Sequence, residues 1–140
     1  MEELTVLREH IEDGRYREAL LLVDEIEAMS REDKLNKIYS YAKVLLLHLI
    51  KQAAEKRTTR SWDASIYNSI KEIRRTNQRR KSSGFYANEG ELKEILNDAY
   101  DTALKYAAIE VFEGKFSDSE LDERVDQSAI IDRAVKDISH

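Results

Sequence analysis

The sequence predicts an all-α fold: a single-domain, largely antiparallel, up-and-down bundle of five or six helices spanning residues 1–140. Two observations carry this expectation. The 140 residues contain no proline and only four glycines, and those two residue types destabilise helix interiors by about 3 and 1 kcal/mol relative to alanine. The glycines (Gly14, Gly84, Gly90 and Gly114) each fall where a hydrophobic pattern stops or restarts. Between them apolar residues recur at intervals of three and four, the period of a helix with one buried face. A chain of this length should bury about two-thirds of its unfolded surface, enough for an independent core.

The elements follow in order. Leu4, Leu7 and Ile11 predict a short first helix that stops at Gly14, the usual left-handed residue just past a helix end. A second helix is expected from Tyr16 to about Met29, with Ala19, Leu20, Val23 and Ile26 on one stripe. The segment Gly14 to Leu20 looks locally like a tetratricopeptide-type turn, but no copy recurs about 34 residues later, so a solenoid is rejected. Ser30, with Glu32 and Asp33 behind it, reads as the start of a third helix running to about Ala54. Leu35, Ile38, Ala42, Leu45 and Leu49 line one face, and Val44, Leu46, Leu47 and Ile50 fill most of the remainder. A helix apolar nearly all round is enclosed by others, so residues 31–54 are expected at the centre.

Lys56 to Arg60 interrupt the pattern, and Ser61 is the expected cap of the next helix, with Trp62, Ile66, Ile70 and Ile73 on its apolar face. That helix should end before Gly84, and the loop Ser82–Ala87 is expected to be the most mobile segment. Asn88 with Glu91, then Leu92, Ile95, Leu96, Ala99, Tyr100, Ala103, Leu104, Ala107, Ala108 and Val111, predict a long helix. Its alanines leave room for a neighbour to approach closely. Ser117 with Glu120 is a capping box opening a last helix over residues 117–138. Leu121, Val125, Ser128, Ile131, Val135 and Ile138 give that helix a narrow seam. The seam can dock over the alanine-rich face of residues 99–108 or pair with a two-fold mate, and the short connection after Gly114 favours the first.

Composition excludes several chemistries. With no cysteine there is no disulfide, thiolate nucleophile or cysteine-ligated zinc or iron–sulfur site. Met1 is followed at once by Glu2 and Glu3, not by a basic leader. The longest apolar stretch, Val44 to Ile50, is broken by His48 and falls far short of the roughly 18 residues of a membrane span. A cytoplasmic protein without membrane contact is expected. Its net charge of −5 is unevenly spread: residues 51–81 carry ten basic and three acidic side chains, whereas acids outnumber bases on both sides. This basic middle either neutralises the acidic helices packed on it or offers a face to an anionic partner.

Candidate functional residues are few. His48 has no second ligand at Glu-x-x-His or His-x-x-x-His spacing, so a hydrogen-bonded imidazole is preferred to a metal site or catalytic base. There is no phosphate-binding glycine loop, no nucleophile elbow and no Arg-x-x-x-x-His element of helical ribonucleases. Neither enzymatic activity nor a cofactor is expected. Trp62, the sole tryptophan, is expected to anchor its helix in the core. Lys71, Arg74, Arg75, Arg79, Arg80 and Lys81 make a basic run without interleaved aromatics, which favours a solvated or neutralised face over nucleic-acid binding.

Several of these residues also carry a resemblance. Glu25-Ile-Glu27, His48-Leu-Ile-Lys51, and Arg57-Thr-Thr-Arg60-Ser61-Trp62 followed by Ser65-Ile66, resemble the family called domain of unknown function twenty-nine, common in cyanobacteria. Tyr100-x-x-Ala103 and Ala107/Ala108 are similar too, so that the likeness spans roughly residues 14–113. The resemblance implies an all-α, largely antiparallel bundle and no established function. Many members place a proline before the arginine motif, which this chain lacks, and its helix after Gly114 looks specific to a subgroup.

Within that motif Arg57 and Arg60 are expected to fix the loop before Trp62 through carbonyls or carboxylates. The function expected is a non-catalytic protein-interaction or regulatory module whose partner is an unidentified protein. The alternative is nucleic-acid binding through residues 51–81, and a homodimer through residues 117–138 is a further expectation for assembly.

Overall fold

The computed structural model describes residues 2–79 and 83–139, and among these it contains six α-helices, one 3₁₀ turn and no strand. The helices are α1 (Glu2–Glu12), α2 (Tyr16–Glu55), α3 (Arg60–Asn77), α4 (Glu89–Glu110), α5 (Asp118–Asp122) and α6 (Gln127–Ser139). The 3₁₀ turn is Val111–Gly114. The chain divides into two compact units, Met1–Lys34 and Leu35–His140.

The first unit is built from α1 and the opening of α2. Its turn is a Schellman motif: Gly14 has φ +75°, Arg15 N–H donates to His10 O at 2.8 Å, and Gly14 N–H donates to Ile11 O at 3.1 Å. Only Ala19 is buried here among the described residues. Leu20, expected on the packed stripe, is 66% exposed, because Leu20, Leu21 and Leu22 are consecutive and one helical stripe cannot hold all three.

One expected break is absent: α2 runs unbroken through Met29 and Ser30 for 40 residues. The physical reason is that Ser30, Arg31, Glu32 and Asp33 include no glycine or proline. A serine within a helix costs only about 0.5 kcal/mol relative to alanine, which the paired backbone outweighs.

The second unit holds the core. The later part of α2 supplies Ile38, Ala42, Leu45, Leu46, Leu49 and Ile50, all at most 1% exposed. They join Ile66 and Ile73 of α3, Leu96, Ala99, Ala103 and Ala107 of α4, and Ile131, Ala134 and Ile138 of α6 in one cluster. Helix α4 packs on α5 and α6, and α3 packs on α6. The apolar stripe at the C-terminus is therefore buried within the chain. Val44, by contrast, is 40% exposed, so α2 is apolar rather than enclosed on that side.

Two boundaries differ from expectation, while the end of α3 falls before Gly84 as expected. The cap of α3 is Thr59, not Ser61: Thr59 has extended backbone and its hydroxyl accepts from Trp62 N–H at 3.1 Å, while Ser61 lies exposed inside the first turn. Helix α3 ends at Asn77, which is 4% exposed. Its side chain donates to Ala87 O at 3.0 Å and accepts from Ala87 N–H at 2.8 Å. With Tyr86 N–H on Asn77 O and Arg79 N–H on Gly84 O, this ties down the described part of the loop expected to be mobile; Arg80, Lys81 and Ser82 lie outside the described residues.

Finally, residues 117–138 form two helices, not one. The capping box of Ser117 and Glu120 opens α5 as expected, but Asp126 then restarts the chain, its carboxylate accepting from Ala129 N–H at 3.2 Å and its carbonyl from Ile130 N–H. A short acidic side chain that bonds nearby backbone competes with helix continuation. The capping box at Asn88 and Glu91 is complete.

Asn77 satisfies a buried donor and a buried acceptor at once. Asn77→Ala should therefore cost about 2–4 kcal/mol, the sum of two unsatisfied buried groups at about 1–3 kcal/mol each with some relaxation. A urea titration reads this as a lower midpoint with an unchanged slope.

Candidate functional site

Three of the residues singled out in the sequence, Lys51, Arg57 and Trp62, meet at one corner of the second unit, where the end of α2 meets the start of α3 and the end of α4. Lys51 enters it from the face of α2 that also carries the core. Its Nζ lies 3.2 Å from Glu110 Oε1, with the lysine side chain 7% exposed and the carboxylate 46% exposed. The same ammonium sits 4.6 Å from the centre of the Trp62 ring, and the Arg57 guanidinium lies 4.7 Å from it. Trp62 is only half-buried, so it is a platform for two cations rather than a full core anchor.

Glu55 connects this platform to the end of α4. Its Oε1 accepts from Arg57 Nε at 2.8 Å, and its Oε2 accepts from Phe112 N–H at 3.1 Å. The bond from the Phe112 amide, aided by Arg57 and Lys51 against some burial, holds the Glu55 carboxyl below its usual range. It also holds an unusual backbone. Phe112 and Glu113 have φ of 50° and 56°, and Gly114 follows at 73°. A left-handed conformation costs a side-chain-bearing residue about 1–2 kcal/mol. The Phe112 ring meets Phe116 edge-on at 5.3 Å, and Arg124 lies 4.0 Å over Phe116. Gly114 has no such freedom to exchange its residue type, since a Cβ there would stand 3.3 Å from Ile109 O.

A polar relay borders the corner. Gln52 Nε2 donates to Thr58 Oγ1 at 2.7 Å and to Asp63 Oδ1 at 3.2 Å, and Arg133 of α6 donates to Gln52 Oε1 at 3.2 Å. Arg60, expected to act beside Arg57, is exposed and has no ion-pair partner among the described residues. His48 is half-buried, and its Nδ1 is buried without a hydrogen-bond partner among the described residues. Burial first, and then the Lys51 charge, push its pKa below the ordinary histidine value, with Glu110 opposing.

The arrangement is built to hold. Lys51 and Arg57 are matched by Glu110 and Glu55, and the Thr58 hydroxyl donates to Asp63 Oδ1 at 2.6 Å. Among the described residues no three histidines, aspartates or glutamates are grouped to hold a metal ion. Sequence reasoning missed Glu55, Glu110 and Gln52, because Lys51 and Glu110 are 59 residues apart and only the packing of helices joins them.

The basic run behaves differently. Arg74 and Arg75 are exposed on α3, with Arg75 at 4.0 Å from Glu72, and Arg79 stacks at 5.1 Å over Tyr86 beyond the helix end. Arg80 lies outside the described residues. A hollow of about 390 Å³ beside Arg74 is lined by Asn77, Asn88 and Ile138 among others, and both asparagine side chains are already engaged, with Ala87 and with Glu91.

The first unit leaves large apolar residues in water, an exposure that the periodicity did not announce. Leu4, Ile11, Tyr16, Leu20, Leu21 and Met29 are six of the eleven exposed large hydrophobic residues among those described. They come from 34 residues that carry eleven acidic and five basic side chains. Consecutive leucines were the available signal. Among the described residues no helix is long and apolar enough to cross a membrane.

The family described as domain of unknown function DUF29 matches residues 15–129. The match runs past Gly114 through α5 to residue 129, so residues 115–129 belong to the family's common part and are not a subgroup addition, while most of α6 lies beyond the match. No curated protein and no solved structure matches the chain.

Two predictions test the corner. Removing the carboxylate strands a buried ammonium, whereas removing the ammonium leaves a carboxylate that water reaches. Glu110→Gln should therefore cost about 1–3 kcal/mol and Lys51→Met less than about 1 kcal/mol, read by urea unfolding. His48 has a folded pKa below its unfolded value, so its contribution is full above 6.5 and is lost as pH falls through the folded pKa. Wild type should lose more stability than His48→Gln between neutral pH and mildly acidic pH, and equal losses would exclude the effect.

Proposed function

Because this chain belongs to the DUF29 family, whose description assigns no activity, we propose that it is a non-catalytic protein-interaction module that works in the cytoplasm and docks its partner on the first unit, Met1–Lys34. The observation that carries this reading is the contrast in burial. The second unit holds nearly all of the buried apolar side chains, whereas the first buries Ala19 and leaves six large apolar residues exposed. Large apolar side chains left in water on one small, highly charged unit support a protein-binding role for it. The corner around Trp62 supports the role of scaffold, since its charges are engaged with one another. The stripe of residues 117–138 offers less to a two-fold mate, because Leu121, Ile131, Val135 and Ile138 are buried within the chain.

Nucleic-acid binding through residues 51–81 has weaker support. Lys51, Arg57 and Arg75 already face carboxylates, which leaves fewer cations for phosphates. If it holds, affinity for oligonucleotides should fall with salt at a logarithmic slope of about −0.7 to −0.9 per phosphate contact.

The test is affinity capture from the native host with the full chain and with a Leu20→Asp/Leu21→Asp variant. Both positions are exposed, so the fold should survive. Wild type should retain a specific protein that the variant releases. A wild type that retains none would refute the reading.

A further inference from the structure

We propose that the first unit binds a basic amphipathic helix, seated along Leu4, Leu7 and Ile11 of α1; this rests on the interaction-module reading above and names the partner's chemistry. Three features support it. The first is shape: Leu4, Leu7 and Ile11, with Arg8 and Glu12 at the rim, line a hollow of about 430 Å³ on the described surface. Their spacing of three and four makes an apolar stripe one helix face wide, against which the apolar stripe of a second helix packs. The second is exposure: Leu4 and Ile11 are each 51% exposed, and α1 buries no residue. An apolar seam in this state gains most from a partner that removes it from water, at about 25 cal/mol per Å².

The third feature selects the partner. Eleven acidic against five basic side chains in residues 1–34 give the unit a net negative charge. A second copy would bring two such surfaces together, and like charges across an interface oppose association. An acidic helix meets the same repulsion. A helix with leucine-like residues on one face and lysine or arginine beside them gains apolar burial and electrostatic attraction together.

The experiment uses the full chain and three synthetic peptides of about five helical turns. One carries leucines at helical spacing with lysines elsewhere, one replaces lysine by glutamate, and one has the leucine and lysine composition in strictly alternating order. Fluorescence anisotropy should show the leucine–lysine helix binding at least about tenfold more tightly than either control. Binding should weaken with added salt, and Leu4→Asp/Ile11→Asp should reduce it about tenfold with helical content unchanged.

Failure of the leucine–lysine helix to bind, equal binding of the glutamate helix, or binding indifferent to Leu4→Asp/Ile11→Asp would each overturn the proposal. Sedimentation of the full chain as a dimer that the same variant disperses would also overturn it, placing a second copy on the seam. If the peptides fail while a host protein is still captured through Leu20 and Leu21, the interaction reading stands and the basic-helix assignment falls. If neither binds, both fall.

Discussion

A lysine ammonium buried in a helical core needs a negative charge beside it, and Lys51 sets this condition for the second unit. Its answer is Glu110, on a different helix and 59 residues later, with the Trp62 ring as a second neighbour. For both contacts to form, the end of α2, the start of α3 and the end of α4 must lie at matching heights. A slip of α4 by one residue would rotate Glu110 by about 100° around its axis and turn the carboxylate away. The apolar residues on α2 supply most of the driving force, but they are interchangeable in a way this contact is not. Burial makes the unit compact, and the Lys51–Glu110 contact is one that a change of register would break.

Glu55 extends that control to backbone geometry. Helix α4 could end in many ways, yet it ends in three consecutive left-handed residues of which two carry side chains. The Phe112 amide that this turn would leave unpaired is met by Glu55, one turn beyond Lys51 on the same helix. Two contacts, one ionic and one from carboxylate to amide, therefore fasten the end of α2 to the end of α4. The arginine-and-tryptophan motif serves those contacts: Arg57 steadies Glu55, and Thr59 opens α3 so that Trp62 lies under both cations.

Much of the fold was legible in the sequence because local rules govern it. Gly14 ends α1, Asn88 and Ser117 cap their helices with the glutamates three residues on, and the stripe expected on α4 is buried apart from the half-buried Ile95. What was not legible depends on competition or on distance. Ser30 looks like a start, but an interior serine is a weak obstacle to a helix already growing. Asp126 looked like part of a helix, but its carboxylate found a nearer backbone partner. Asn77 gave no sign at all, since a buried asparagine is recognised only by the backbone it clamps ten residues away. The site was half legible: His48, Lys51, Arg57 and Trp62 were drawn from sequence, while the acids that meet them were hidden among the many carboxylates of helix exteriors.

The position of Trp62 also has an optical consequence. It is the only tryptophan in the chain, and it lies in the second unit beneath two cations. Its emission therefore follows the opening of that corner. Far-ultraviolet circular dichroism weighs helix in both units alike. The two signals trace one transition only where both units melt together, so the separation between their curves measures how much of α2 can fray while the corner stays closed.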